Sequence, residues 1–219
     1  MPRMDELKAS PSGGLSTGRI QILSDGIFAI AMTILVLDVR PPVVGSDAEL
    51  PAALANMAPR FASYALSFIV LGVYWTGHHN TFSAIRRTDR AFLWLNIVFL
   101  GFVAFIPFTT SLLASYPGAT LPVALYGLHL TVIRLLLYLN WRYASWGHRL
   151  LDPAISPERV RLASRRILVG SLICMAGVVV SPFAAGLSLV LYGLMVLFYV
   201  LPGTVDAYLN PSQPPVAPG

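Results

Sequence analysis

The sequence predicts an all-α membrane protein with six transmembrane helices and both chain termini on the cytoplasmic side. Three observations predict it. Of 219 residues, 56% are hydrophobic and only 11% are charged, where a soluble domain carries roughly 25% charge. Apolar stretches recur at about 20 residues, the length a helix needs to cross a bilayer. The basic residues gather in every second connection between those stretches.

The polar residues 1–18 have no apolar core of the kind a signal peptide needs and read as a flexible arm. The first span runs from Ile20 to Val39, and Arg40-Pro41-Pro42 end it sharply. The second, about Phe61 to Phe82, precedes the basic segment Arg86-Arg87-Thr88-Asp89-Arg90. It begins earlier, at Ala52, if Pro59 only kinks the helix. The third, Ala91 to Ser115, carries no charge and closes at the turn Tyr116-Pro117-Gly118. The fourth, about Leu121 to Tyr143, carries one charge, Arg134. After a polar, basic loop, residues 167–205 form a 39-residue run without a charge. As a single helix that run would reach roughly 58 Å, nearly twice the hydrocarbon core. It must fold back, and Ser181-Pro182 is the natural break between spans five and six. The six-helix region is thus 19–209, and the Pro-rich residues 210–219 read as a flexible tail.

Six spans put both termini on one side. Arg3, Lys8 and Arg19 precede span one, and Arg86, Arg87 and Arg90 join spans two and three. Arg142, Arg149, Arg159, Arg161, Arg165 and Arg166 join spans four and five. The opposite side has only Arg40 and Arg60, a bias of 12 to 2. By the positive-inside rule the termini are cytoplasmic and the expected location is the plasma membrane, multi-pass.

Several function classes drop out. The net charge of +5 does not form a basic patch interleaved with aromatics, so no nucleic-acid partner is expected. The lone Cys174 lies in an apolar run and reads as a small buried apolar residue. There is no Walker loop, no dinucleotide fingerprint and no carbonyl-filter signature TVGYG. His78 and His79 are adjacent, about 100° apart on a helix, so they do not chelate one metal well. They read as a hydrogen-bonded structural pair or as proton-linked groups. No enzyme, cofactor or resident metal is expected. Arg134 lies mid-span, where an unpaired charge costs at least about 2.5 kcal/mol. It should face a partner or water, and it reads as a structural brace.

Within span one, Leu23, Ile27, Ile30, Ile34 and Leu37 step by threes and fours into one stripe of large aliphatic side chains. By periodicity alone this stripe packs against other spans or lipid. Asp25, five positions before Ile30, falls roughly 140° away around the wheel. A carboxylate at membrane depth normally faces the protein interior and finds a partner. Ser24 is adjacent, and His78, His79 and Asn80 lie at a similar depth.

The segment Arg19-Ile20-Gln21-Ile22-Leu23-Ser24-Asp25-Gly26, continuing through Ile30, Thr33 and Leu37, resembles the first-helix signature of the transmembrane protein 175 family. Leu23 stands where that motif has Phe. "YWTGHHNTFSAI" (74–85) and "LWLNIVFLGFVAFIPFTTSLL" (93–113) resemble the family's second and third helices. The resemblance implies a potassium-selective cation channel, a homotetramer in which four first helices line a central pore. It implies an aliphatic constriction at Ile30, Ile34 and Leu37, with Ile30 as the leading filter residue and Thr33 as a selectivity threonine. It implies that Arg19, Ser24 and Asp25 form a polar network bracing the pore helix, with His78 and His79 nearby. Two other classes stay open on the residues alone. One is a proton-coupled carrier or proton-conducting protein using Asp25 and His78 or His79. The other is a membrane sensor without conduction.

Overall fold

The computed structural model describes residues 17–200, and these are helical throughout their regular elements. The helices are α1 (Thr17–Ile34), α2 (Leu50–Asn56), α3 (Ala58–Ser83), α4 (Arg90–Ala104), α5 (Ile106–Ser115), α6 (Thr120–Ser145), α7 (Pro157–Val180) and α8 (Ala185–Val200). A 3-10 turn, Leu35–Asp38, extends α1. Among the described residues, four stretches are long and apolar enough to cross a membrane: Thr17–Asp38, Arg90–Ser115, Thr120–His148 and Pro157–Val180. The bent pair α2 and α3 makes a fifth if taken as one span, while α8 has 16 residues. The chain is an all-helical membrane protein.

Four boundaries differ from the sequence expectation. α1 already includes Thr17, two residues inside the expected arm. Residues 1–16 of that arm, 201–209, and the 210–219 tail lie outside the described residues. α2 and α3 meet at 46°, so helix precedes Phe61, and the bend falls at Met57 with Pro59 in the first turn of α3. α7 begins at Pro157, inside the expected basic loop. The cause is local: Ser156 accepts the Arg159 amide at 3.3 Å, Pro157 occupies the first turn and Glu158 complements the helix dipole. Span three is broken at Phe105, because Pro107 has no N–H to continue the ladder. At the break His129 Nε2 lies 3.0 Å from the Phe102 carbonyl, while Thr109 Oγ1 lies 2.9 Å from Nδ1. The turn at Ser181-Pro182 falls where expected, between α7 and α8, which pack together.

α6 is the hub, packed against α4, α5, α7 and α8. One apolar cluster, including Phe28, Leu71, Phe99, Tyr126 and Tyr192, fills the middle of the bundle. Tyr192 lies so close to Gly127 of α6 and Gly177 of α7 that neither position has room for a Cβ. Small residues at such crossings let membrane helices approach closely. A second cluster, including Ile20, Phe82, Phe92, Trp141 and Leu151, closes one end. There the two interhelical segments before α4 and before α7 join: Arg86 N donates to Leu150 O and Asp152 N to Ala84 O, each at 2.9 Å. The ion pairs Arg86–Asp152 (2.6 Å) and Arg149–Asp89 (3.2 Å) reinforce the junction.

Candidate functional site: the divided first helix

α1 buries one narrow side. Ile20, Ser24, Phe28, Ala31 and, just beyond the helix, Leu35 face the subunit core. Leu23, Ile30, Ile34 and Leu37 are exposed, Ile30 at 59% and Leu37 at 67%, and Ile27 is half-buried at the edge. The stripe that period picks therefore lies outside the chain's own core. Exposure alone is common in a lipid-solvated protein, as Leu172 on α7 shows at 69%. The exposed surface of α1 also holds Asp25 and Thr33. Thr33 spends its hydroxyl on its own helix, donating to the carbonyls of Ala29 and Ile30 at 2.9 Å.

The residues expected to brace α1 separate into two groups. The first is buried. Ser24 Oγ donates to the Ile20 carbonyl at 2.9 Å and accepts from Asn96 Nδ2 at 3.3 Å. Asn96 Oδ1 is 2.9 Å from His78 Nε2, and the His78 ring stacks on Phe82 and Phe99. This chain links α1, α4 and α3 through polar groups that would be costly in hydrocarbon if left alone. The second group is on the exposed side. Trp75 Nε1 donates to Asp25 Oδ1 at 2.8 Å, and the Trp75 ring lies 5.7 Å from that of His79. His78 and His79 are thus not a hydrogen-bonded pair: adjacent side chains leave a helix on different faces, and each finds its own partner. Arg19 is exposed and joins neither group among the described residues. Sequence reasoning missed Asn96 and Trp75. The signal was present: Asn96 is an amide inside an otherwise apolar run, and Trp75 lies one turn before His79.

Two further polar links hold the opposite end. Ser111 donates to Asp38 at 2.8 Å, tying the end of span one to α5. Thr110 donates to Ser67 at 2.8 Å, and Ser67 lies 2.9 Å from the Tyr126 hydroxyl, joining α5, α3 and α6. At the basic end, burial pushes the Asp89 carboxyl up, but the amide of Phe92, the hydroxyl of Tyr143 and the charge of Arg149 outweigh it. The group is held below its ordinary value of 3.8. Asp152, bonded first by the Ala154 amide and then by Arg86, is likewise held low.

Arg134 is 1% exposed. Its guanidinium sits over the rings of Tyr199 (4.2 Å) and Tyr74 (5.3 Å), and Nη2 lies 2.6 Å from Met195 Sδ. The partner, which the sequence leaves unassigned, is a cage of two aromatic rings and a thioether sulfur. No metal-binding cluster of His, Cys, Asp or Glu occurs among the described residues, and Cys174 is buried.

Fold and site together define a helical integral membrane protein whose polar side chains brace one helix while leaving that helix's aliphatic stripe free. Residues 19–107 match the family model described as the endosomal/lysosomal potassium channel TMEM175. A potassium channel of Streptomyces collinus is 34% identical over 187 residues, covering 84% of this chain and 91% of the relative. The crystal structure of a lysosomal potassium-selective channel TMEM175 homolog from Chamaesiphon minutus superposes with a TM-score of 0.76 at 28% identity, covering 84% of this chain and 96% of that one. The human protein named endosomal/lysosomal proton channel TMEM175 is 28% identical over 190 residues, which is 84% of this chain but 37% of the human one. The chain belongs to the TMEM175 family of ion channels.

Proposed function

We propose that the chain is the subunit of a leak-like, potassium-selective cation channel of the plasma membrane, a homotetramer with four copies of α1 around a central pore. Each subunit crosses the bilayer six times with both termini cytoplasmic. Support for six comes from the apolar α8, whose charge-free sequence runs on to residue 205. Support for the orientation comes from the joined interhelical segments before α4 and α7, which carry arginines and lie at the same end as the start of α1.

The observation that carries the proposal is the division of α1. Its buried face locks the helix into the subunit, and its remaining surface pairs an aliphatic stripe with a carboxylate already tied to Trp75. Four such stripes meeting at an axis make a hydrophobic constriction at Ile30, continued by Ile34 and Leu37, with Thr33 beside it. Rings of this kind narrow a pore and gate it by dewetting. Ser24 and His78, joined through Asn96, and Asp25, joined to Trp75 beside His79, hold the pore helix, while Arg19 at the helix start joins neither group among the described residues. Sodium sheds its water more reluctantly than potassium where the lining cannot replace it, which is the basis proposed for selectivity.

Purified protein in liposomes tests this. Passive, potential-driven flux that is larger in a potassium gradient than in a sodium gradient is expected. Saturable flux coupled to pH would make the protein a proton-coupled carrier. Proton current with no potassium current would make it a proton channel, the name its vertebrate relatives carry. Absence of all three would retire conduction altogether.

A further inference from the structure

A cavity of about 670 Å³ lies between α3, α6, α7 and α8. It opens past exposed residues of α3, among them Phe68, Ile69 and Trp75. Its lining changes character along α3: Phe68, Ile69 and Val73 are apolar, whereas Thr76, Asn80 and Thr81 are polar. The stretch from Phe68 to Thr81 is about 20 Å long by helix rise. Arg134 and Arg166 line the same space, and Tyr199 lies between them, 4.2 Å and 5.2 Å from their guanidinium carbons.

Arg134 is the unusual member. It is 1% exposed, and its Nε has no hydrogen-bond partner among the described residues. A guanidinium does not deprotonate in a protein, so the buried charge persists. No carboxylate pairs with it among the described residues. Aromatic faces and a thioether offset part of that cost, but neither is an anion. An apolar trench ending at a permanently charged, incompletely bonded fork matches an amphiphile with an anionic head. Phosphate oxygens suit the fork geometry, and basic pockets between transmembrane helices take anionic headgroups. A free inorganic anion would leave the apolar wall unfilled.

We propose that this cavity binds one anionic phospholipid per subunit, its phosphate beside Tyr199 between Arg134 and Arg166 and an acyl chain along Phe68, Ile69 and Val73. The site is separate from the α1 stripe, and the proposal stands whether or not the protein conducts. Native mass spectrometry of the full chain in detergent, titrated with phosphatidylglycerol or phosphatidylcholine, tests it. Phosphatidylglycerol is expected to bind one per subunit, about tenfold tighter than phosphatidylcholine. Arg134→Gln should abolish that preference. Ala163→Phe, which fills the cavity without touching the arginine, should weaken phosphatidylglycerol by about tenfold and serves if Arg134→Gln does not fold. Equal affinity for the two lipids, or unchanged binding in Ala163→Phe, overturns the proposal. Phosphatidylglycerol binding that appears only in a chain shortened at Val200 also overturns it, by assigning the cavity to the chain's own C-terminal segment.

Discussion

Trp75 donates its indole N–H to Asp25 at 2.8 Å, so the carboxylate near the start of α1 is held by a side chain 50 residues further along, on α3. The bond fixes the rotation of α1 from its exposed side while Phe28 and Ala31 fix it from the core. Trp75→Phe keeps a ring beside His79 but removes the donor. The variant is expected to lose about 1 kcal/mol of stability, the scale of interhelical hydrogen bonds in membranes. A drop in Tm of the detergent-solubilised protein reads this out, and an unchanged Tm would show that α1 is positioned by its buried face alone.

Ile30→Asn places an amide in the stripe. The amide carbonyl would replace part of an ion's water and reduce the disadvantage of sodium. The potassium-to-sodium permeability ratio, measured from reversal potentials, should fall about tenfold, which corresponds to about 1.4 kcal/mol. Because Ile30 is 59% exposed within the subunit, the subunit's own packing should change little. A channel that kept full selectivity would remove Ile30 as the filter and dehydration as the cause.

Gly127→Ala forces a methyl into the space held by Tyr192. Overpacking of this kind costs about 1–3 kcal/mol. Tyr192→Leu vacates that space, so the double variant should be less destabilised than the sum of the two single changes. Additive losses in a detergent unfolding cycle would mean that α6 and α8 do not meet as described.

The pH dependence of stability has a definite sign at Asp89. Its carboxyl titrates below 3.8 in the folded protein, so its bonds to Phe92, Tyr143 and Arg149 stabilise the fold above that value. The contribution is lost as pH falls through 3.8 and below. The Tm difference between the wild type and Asp89→Asn should therefore be constant near neutral pH and shrink on acidification to about pH 3. A difference that grew in acid would reverse the assignment.

Long apolar runs made most spans legible in the sequence, because lipid demands them. The same signal hid two features. The first ten residues of α7 are basic and polar, and only the Ser156-Pro157-Glu158 start marks them as helix. The break at Phe105 sits inside a charge-free run, where Pro107 was the cue and hydropathy was blind to it. The aliphatic stripe and the separation of Asp25 from it followed from the helical period. The partners did not: Asn96 lies 72 residues from Ser24, and their meeting is a property of the packed bundle. Arg134 was expected to need a partner or water, and Tyr74, Tyr199 and Met195 answered with rings and sulfur, a pairing that charge-matching along a sequence does not find.

The two-faced first helix has an evolutionary consequence. Folding depends on Ser24, Phe28, Ala31 and Leu35, while Ile30, Ile34 and Leu37 make few demands within the subunit. On the proposed pore-lining role of that exposed stripe, lineages can retune permeation by drift on one side of a single helix while the side packed in the subunit stays unchanged.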